Sequence, residues 1–183
     1  MKLTNEQDAA LDVISKYESP NHGYDAFNQG GYASGRGAIG SGSYQQRFGR
    51  SLTSMSVGEI MSLQESRPGM SQAQWNAQGR LHAVGRYQFT AATFAEYAQK
   101  LGLDPNTPFS PEVQDQMALA LMKDRGISPW IGPLDKATSA ERAIIQRATQ
   151  QLQTRQMEKA ERILQNPYST RRQVSRTHSY LQN

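Results

Sequence analysis

Apolar residues near the beginning of the chain follow the spacing of a helix. Leu11 and Ile14 fall on one face of a helix predicted for residues 5–18, because successive residues of an α-helix turn by about 100°. Glu18 shares that face, since it lies almost two full turns beyond Leu11. The pattern therefore places a carboxyl group at the wall of a predicted core.

Helix-start signals predict the other helices. Capping boxes, in which Ser or Thr is followed three residues later by Glu or Gln, begin at Thr4, Ser56 and Thr138. Ser110 precedes a proline at the first position of another helix. Together with the apolar spacing, these signals predict helices over residues 5–18, 57–64, 90–102, 111–125 and 139–165.

Two segments between these helices lack helical spacing. Residues 28–49 are rich in Gly, Ser, Tyr and Gln, which predicts a loop or an irregular hairpin. Residues 70–89 mix turn residues with short apolar pairs, so we expect loop with small strands. The sequence therefore predicts a mainly helical fold with a little strand.

Composition narrows the kinds of protein to consider. The 183 residues suffice for one compact domain with an appendage. With no cysteine and three scattered histidines, we expect no disulfide framework, no metal site and no cofactor. The first twenty residues carry charges throughout, which argues against a signal peptide. No apolar run approaches the roughly 18 residues of a spanning helix, so we expect no membrane insertion.

Charge divides the chain into two predicted parts. Residues 1–135 carry 11 Lys and Arg against 13 Asp and Glu, whereas residues 136–183 carry 9 against 3, a net charge near +6. We predict a main domain over residues 1–135 and a basic Gln/Arg-rich helical tail over residues 136–183. Such a tail suits an acidic partner protein, an anionic cell surface or nucleic acid, although a solvated basic helix explains the charge equally well.

The tail also carries a pattern typical of assembly. Its predicted helix has only a narrow apolar seam, formed by Ile145, Ala148, Leu152, Ile163 and Leu164. A seam this narrow favours packing against another chain, either a second copy or a different protein. Residues 168–183 have the composition of a disordered arm, and we expect a partner to order them.

Glu18 is a candidate general acid. Partial burial and the negative end of a helix dipole both disfavour the charged form, so we expect a raised pKa that keeps the proton near neutral pH. The alternative is a glutamate that frays into solvent or clamps a nearby loop. The segment that follows contains Tyr24, Asp25, Tyr32 and Tyr44, and its aromatic rings and small polar groups suit a sugar site.

A second candidate site segment is “GRYQ”, residues 85–88. Gly85 lets the backbone approach a ligand closely, and the Gln88 amide offers both donors and acceptors. The alternative is an ordinary turn before a helix, with Gln88 exposed to solvent.

Three motifs taken together resemble a known family. “YESPNHGYDAFNQGG”, “GRYQ” and “SPEVQDQMALALMKDRG” occur in the order found in the lambdoid phage lysozyme, a lytic transglycosylase of the lysozyme-like superfamily. The resemblance covers about residues 9–130. “GRYQ” is also similar to the Gly-x-x-Gln signature of other lytic transglycosylases.

The resemblance implies a mainly α, lysozyme-like α+β fold with a small irregular sheet beside a cleft. It implies cleavage of the bond between N-acetylmuramic acid and N-acetylglucosamine in bacterial peptidoglycan, with Glu18 as the single acid and base and a 1,6-anhydro product. Gly85, Tyr87 and Gln88 match the motif that lines the glycan cleft, and Tyr24 and Asp25 match the loop beside it.

Asp25 has two interpretations. It is either a supporting residue that orients the loop or binds sugar, or the second carboxylate of a hydrolase. We favour the supporting role.

The tail departs from that family. Beyond about residue 130 the family's last helices find no match, and the basic tail follows instead. We therefore expect a phage virion protein that acts in the host periplasm and opens the cell wall when the phage enters, held in the particle by residues 136–183, and even the front of a longer polypeptide. The alternatives are a free endolysin, an inactive structural virion protein with the same fold, and nucleic-acid binding through the tail.

Overall fold

A computed structural model of the chain describes residues 3–30 and 40–165. The arm predicted at residues 168–183 lies outside these ranges. The described elements, in chain order, are α1 Asn5–Glu18, β1 Ala26–Asn28, β2 Ser41–Ser43, α2 Tyr44–Phe48, α3 Val57–Gln64, α4 Gln72–Ala77, β3 Ala83–Val84, β4 Phe89–Thr90, α5 Ala91–Lys100, α6 Pro111–Arg125 and α7 Ser139–Gln165.

The four strands form one small antiparallel sheet in the order β2-β1-β3-β4. Phe27 of the central strand β1 pairs with Gly42 on one side and with Val84 on the other. Residues 85–88 make the turn between β3 and β4. The predicted fold class, mainly helical with a small irregular sheet, is confirmed.

The predicted helix starts are also confirmed. Reciprocal capping hydrogen bonds occur at Thr4 and Ser56, and at Thr138 with Glu141. Ser110 caps α6 ahead of Pro111. On α1, Leu11 and Ile14 are fully buried, so the face that the spacing assigned to the core is the face that packs.

Two helices were missed. α2 is capped by Ser43 inside the segment predicted as loop or hairpin, and α4 follows a capping box of Ser71 and Gln74 inside the segment predicted as loop with strands. α4 buries none of its residues. A short helix without an apolar face leaves no periodic signal in the sequence, which explains why α4 was not predicted.

The first half of α7 belongs to the body of the protein. α7 packs against α1 and α6, and Ile145 and Ala148 are fully buried. For these residues the expectation of a seam facing another chain was wrong, because the seam packs within its own chain. From Gln153 to Gln165 the described side chains are exposed. The division into residues 1–135 and 136–183 stays a prediction.

Glu141 fastens α1 to α7. Its carboxylate accepts a hydrogen bond from Lys16 Nζ at 2.6 Å and another from Tyr17 OH at 2.9 Å. The same carboxylate accepts from the backbone N–H of Thr138 at 2.9 Å, completing the cap of α7. The hydrogen bond from Lys16, with those from Thr138 and Tyr17, lowers the pKa of Glu141 to about 2. The turn of α1 that ends at Glu18 is therefore tied directly to the start of α7.

We predict that Ile145→Ala lowers the free energy of unfolding by about 2–5 kcal/mol, because it leaves a cavity in the core. Met157→Ala is the matched control, since Met157 lies on the same helix but is 60% exposed, and its effect should stay within about 0.5 kcal/mol. Urea denaturation of the full chain measures both. Equal small effects would show that the first half of α7 does not stabilise the body.

Candidate active site

Glu18 is the last residue of α1 and faces a cleft. The N–H of Ser19 donates to the carbonyl oxygen of Ser15 at 2.9 Å and closes the helix, and Pro20 follows. Glu18 is half-buried. Among the described residues, no hydrogen bond or ion pair engages its carboxyl group. The carboxyl is therefore partly shielded from water but receives no compensating contact from the described residues.

Burial raises the pKa of the Glu18 carboxyl from its ordinary 4.5 to about 7. The cause is the loss of water around the charged form. A carboxylic acid with such a pKa retains a large protonated fraction at neutral pH, as a general acid requires. The pKa is thus raised, as predicted, and the cause is burial, one of the two effects from which the prediction was made.

The cleft consists of two hollows that meet at Glu18 and Gln88. The larger hollow, of about 340 Å³, lies between the end of α1 and the sheet, with Asn21, His22 and Asn28 among its lining residues. The smaller, of about 70 Å³, lies towards α5 and α6 and includes Thr90 and Trp130. Because both hollows share Glu18 and Gln88, Glu18 lies between two hollows rather than at a closed end.

Gln88 occupies an unusual backbone conformation. Its φ is +50°, the only positive φ of a non-glycine residue in residues 3–30 and 40–165. Its Nε2 donates to the carbonyl oxygen of Gly85 at 2.9 Å, as does its backbone N–H at 3.2 Å. The turn thus fixes the amide at the lip of both hollows. Strained backbone of this kind is characteristic of functional sites.

The other predicted site residues lie behind the cleft. Gly85 has a φ of +75°, and a Cβ there would clash with Gln114 Oε1. The backbone of Gly85 therefore approaches the Gln114 side chain closely, rather than a ligand as predicted. Tyr87 borders the smaller hollow but is 2% exposed, and its hydroxyl donates to Asp115 at 2.5 Å. The hydroxyl of Tyr24 donates to the same carboxylate at 3.0 Å.

The remaining aromatic candidates divide between core and undescribed chain. Tyr44 is buried and packs against Phe27 and Phe48. Tyr32 lies outside the described residues.

Asp25 holds the loops beside the cleft. Its Oδ1 accepts from Ser51 Oγ at 2.9 Å and from the N–H of Leu52 at 2.8 Å. Its Oδ2 accepts from Ser43 Oγ at 2.5 Å and from the N–H of Gln45 at 2.8 Å. Asp25 lines neither hollow. These four hydrogen bonds, from four residues of two neighbouring segments, are what a residue that orients loops would make.

Several cleft residues were not singled out from the sequence. Asn21 and His22 line the larger hollow immediately after Glu18, and their place in “NHGYD” is the signal that was overlooked. Trp130 reaches the smaller hollow from a short 3₁₀ helix, Ser128–Trp130, and its Nε1 donates to the carbonyl oxygen of Tyr87 at 3.3 Å. Nothing in the local sequence indicates that contact.

A helical body, a small sheet beside a cleft and a proton-retaining carboxyl at a helix end define a lysozyme-like protein. A family model described as Endolysin matches residues 9–150. The match covers well over half of the chain, so the chain belongs to the endolysin family and is a phage enzyme that degrades peptidoglycan. No curated protein and no solved structure matches it.

The family match reaches further than the motif resemblance. It continues to residue 150, through the part of α7 that buries Ile145 and Ala148. None of the described helices is long and apolar enough to cross a membrane.

We predict that Glu18→Gln stabilises the protein at high pH. Because the folded pKa of about 7 lies above the ordinary 4.5, the native state binds more protons, and stability is lost as pH rises between these values. Below pH 4.5 the variant and the wild type should be equally stable, and above pH 7 the variant should gain about 1–3 kcal/mol. Urea denaturation from pH 4 to pH 8.5 measures the difference.

Glu158→Gln serves as the control for this prediction, since Glu158 is exposed on the second half of α7. Glu158→Gln should change the free energy of unfolding by the same amount at every pH. A Glu18→Gln difference that does not grow with pH would mean that Glu18 is not held in its protonated form.

Proposed function

We propose that the protein is a peptidoglycan lytic transglycosylase in which Glu18 acts as the single acid and base. The observation that carries the proposal is one proton-retaining carboxyl at the meeting point of two hollows. Among the described residues lining these hollows, Glu18 is the only Asp or Glu. A mechanism that needs one carboxyl group fits this arrangement better than one that needs two.

The reaction proceeds in two proton transfers. The Glu18 carboxylic acid protonates the oxygen between N-acetylmuramic acid and N-acetylglucosamine, and the bond from that oxygen to C1 of the muramic acid breaks. The resulting carboxylate then accepts the proton of the C6 hydroxyl of the muramic acid, while the C6 oxygen bonds to C1 of the same sugar. Glu18 ends protonated, no water is consumed, and the product is a 1,6-anhydro sugar. Above pH 7 the protonated fraction of Glu18 falls, so the rate of the first step should fall too.

The other predicted residues have supporting roles in this proposal. Gln88 binds sugar hydroxyl or acetamido groups at the edge of the cleft, since its Nε2 donates to Gly85 while its side-chain oxygen accepts no hydrogen bond from the described residues. Tyr87, Tyr24 and Gly85 shape the wall behind it.

The geometry of Asp25 argues against a paired-carboxylate hydrolase. In that plan a second carboxylate acts as the nucleophile or activates a water beside the sugar. Each oxygen of Asp25 already accepts two hydrogen bonds from loop residues. Recruiting Asp25 would require the loops to give up these bonds.

The product distinguishes the two chemistries. We predict that the wild type, acting on purified peptidoglycan in ¹⁸O-labelled water, releases unlabelled anhydromuropeptides detected by mass spectrometry. Glu18→Gln should lower the rate by about 10²–10⁴-fold, because the general acid is lost. Glu158→Gln, an exposed change of the same kind, should leave it unaltered. Labelled products with a reducing muramic acid would identify a hydrolase, and no release by either protein would refute the proposal.

The stage of infection at which the enzyme acts is a further part of the proposal. The basic tail over residues 136–183 supports an enzyme carried in the virion, whereas membership of the endolysin family fits a free enzyme equally well. A cleft lined by both Glu18 and Gln88 counts against an inactive structural protein.

We predict that quantitative mass spectrometry of purified particles detects the chain at a fixed number of copies per particle. The physical reason is the excess positive charge of the tail, which favours retention by an acidic partner. Recovery only in the soluble fraction of the lysate would assign the protein to lysis instead.

A further inference from the structure

Two neighbouring residues of α6 hold the backbone behind the cleft. Gln114 is fully buried, and its Oε1 accepts from the backbone N–H of Arg86 at 2.9 Å. Its Nε2 donates to the carbonyl oxygens of Tyr24 at 3.0 Å and Phe109 at 3.1 Å. One amide therefore ties together the loop after α1, the turn between β3 and β4, and the start of α6.

Asp115 holds the side chains of the same two segments. It accepts from the hydroxyls of Tyr24 and Tyr87, and it lies 3.7 Å from Arg86 Nη1. Arg86 donates to both hydroxyls, at 2.8 and 3.2 Å, and pairs with Asp12. Burial raises the pKa of both phenols, so both hydroxyls stay protonated and donate to the carboxylate.

This group of Gln114, Asp115, Tyr24, Arg86 and Tyr87, here named the α6 clamp, reaches the chain neighbours of both Glu18 and Gln88. The carbonyl oxygen of Arg86 accepts from Ser19 Oγ at 2.8 Å, and Ser19 follows Glu18. Tyr87 precedes Gln88. The clamp thus fixes the neighbours of the two residues that the hollows share, while Gln114 and Asp115 themselves line neither hollow.

We infer that Asp115 is a positioning residue of the active site, which sets the distance between the Glu18 carboxyl and the Gln88 amide through Tyr24, Arg86 and Tyr87. The inference rests on the proposed function, because positioning is measured as a rate. It also gives the motif “SPEVQDQMALALMKDRG” a part in the reaction, although this motif contributes only Leu121 to the lining of the hollows.

α6 provides a matched control for a purely structural effect. Asp124 also accepts from a tyrosine hydroxyl, that of Tyr97 at 3.2 Å, and from a cation, Lys100 Nζ at 2.8 Å. It lies at the other end of the helix and lines neither hollow. Loss of Asp124 removes the same kinds of contact without touching the segments around Glu18.

The kinetic test uses soluble, uncross-linked glycan strands at a temperature where every variant is folded. Asp115→Leu should lower kcat at least about tenfold with KM changed less than about twofold, because misplacement slows the chemical step without removing a contact to the sugar. Asp115→Asn should recover most of kcat, since its side-chain oxygen still accepts from the tyrosines. Asp124→Leu should keep kcat within about twofold.

Tyr87→Phe is a milder variant that removes one hydroxyl of the clamp. It should lower kcat in the wild type and have little further effect in Asp115→Leu, because the same contact is already lost. A raised KM with unchanged kcat in Tyr87→Phe would make Tyr87 a sugar-binding residue and would overturn the inference.

Amide hydrogen exchange gives a readout that does not need activity. Asp115→Leu should speed exchange at Arg86 and Gln88 by about tenfold relative to the wild type, whereas Asp124→Leu should not. Normal exchange there together with normal kcat in folded Asp115→Leu would overturn the inference and leave the proposed function intact. If the wild type releases no product from peptidoglycan, the proposed function fails and the exchange rates alone decide whether Asp115 orders the turn.

Discussion

The candidate site depends on a carboxyl group that burial shields in part from water and that no cation engages among residues 3–30 and 40–165. A cation or a strong donor at Glu18 would lower the pKa and cancel the effect of burial. The cation nearest in sequence to Gln88 is Arg86, and its guanidinium is held by Asp12, Asp115 and two tyrosine hydroxyls. Arg86 therefore lies near the site in sequence, but its positive charge is engaged by these groups and not by Glu18.

The polar groups behind the cleft illustrate how a strained turn is maintained. Gln88 keeps a positive φ, and such a conformation persists only where the surrounding structure determines it. The buried amide of Gln114 and the carboxylate of Asp115 supply that determination, because they accept hydrogen bonds from Arg86 and Tyr87, the two residues before Gln88. Because each of these groups is satisfied, the network adds rigidity without an unpaired buried charge.

Local signals predicted much of the fold, and long-range contacts account for most of what they missed. Helical spacing assigned Leu11, Ile14 and Glu18 to one face, and the face packs as expected. The short polar helix α4 has no apolar face to detect. The hydroxyls of Tyr24 and Tyr87 donate to Asp115 on α6, far along the chain. The local sequence therefore suggested sugar binding for both tyrosines and gave no sign of this carboxylate. The burial of Ile145 likewise depends on α1 and α6.

α7 has a mechanical role because it is both a core element and the path by which the chain leaves the body. From Gln153, whose amide bonds the carbonyl oxygen of Lys123 at 3.0 Å, the helix runs about 18 Å further to Gln165. A load applied to that end passes along α7 to Glu141 and, through Lys16 and Tyr17, to the turn of α1 that ends at Glu18. Tension on the exposed end of α7 would thus reach the support of Glu18 through the contacts that α7 makes with α6 and α1.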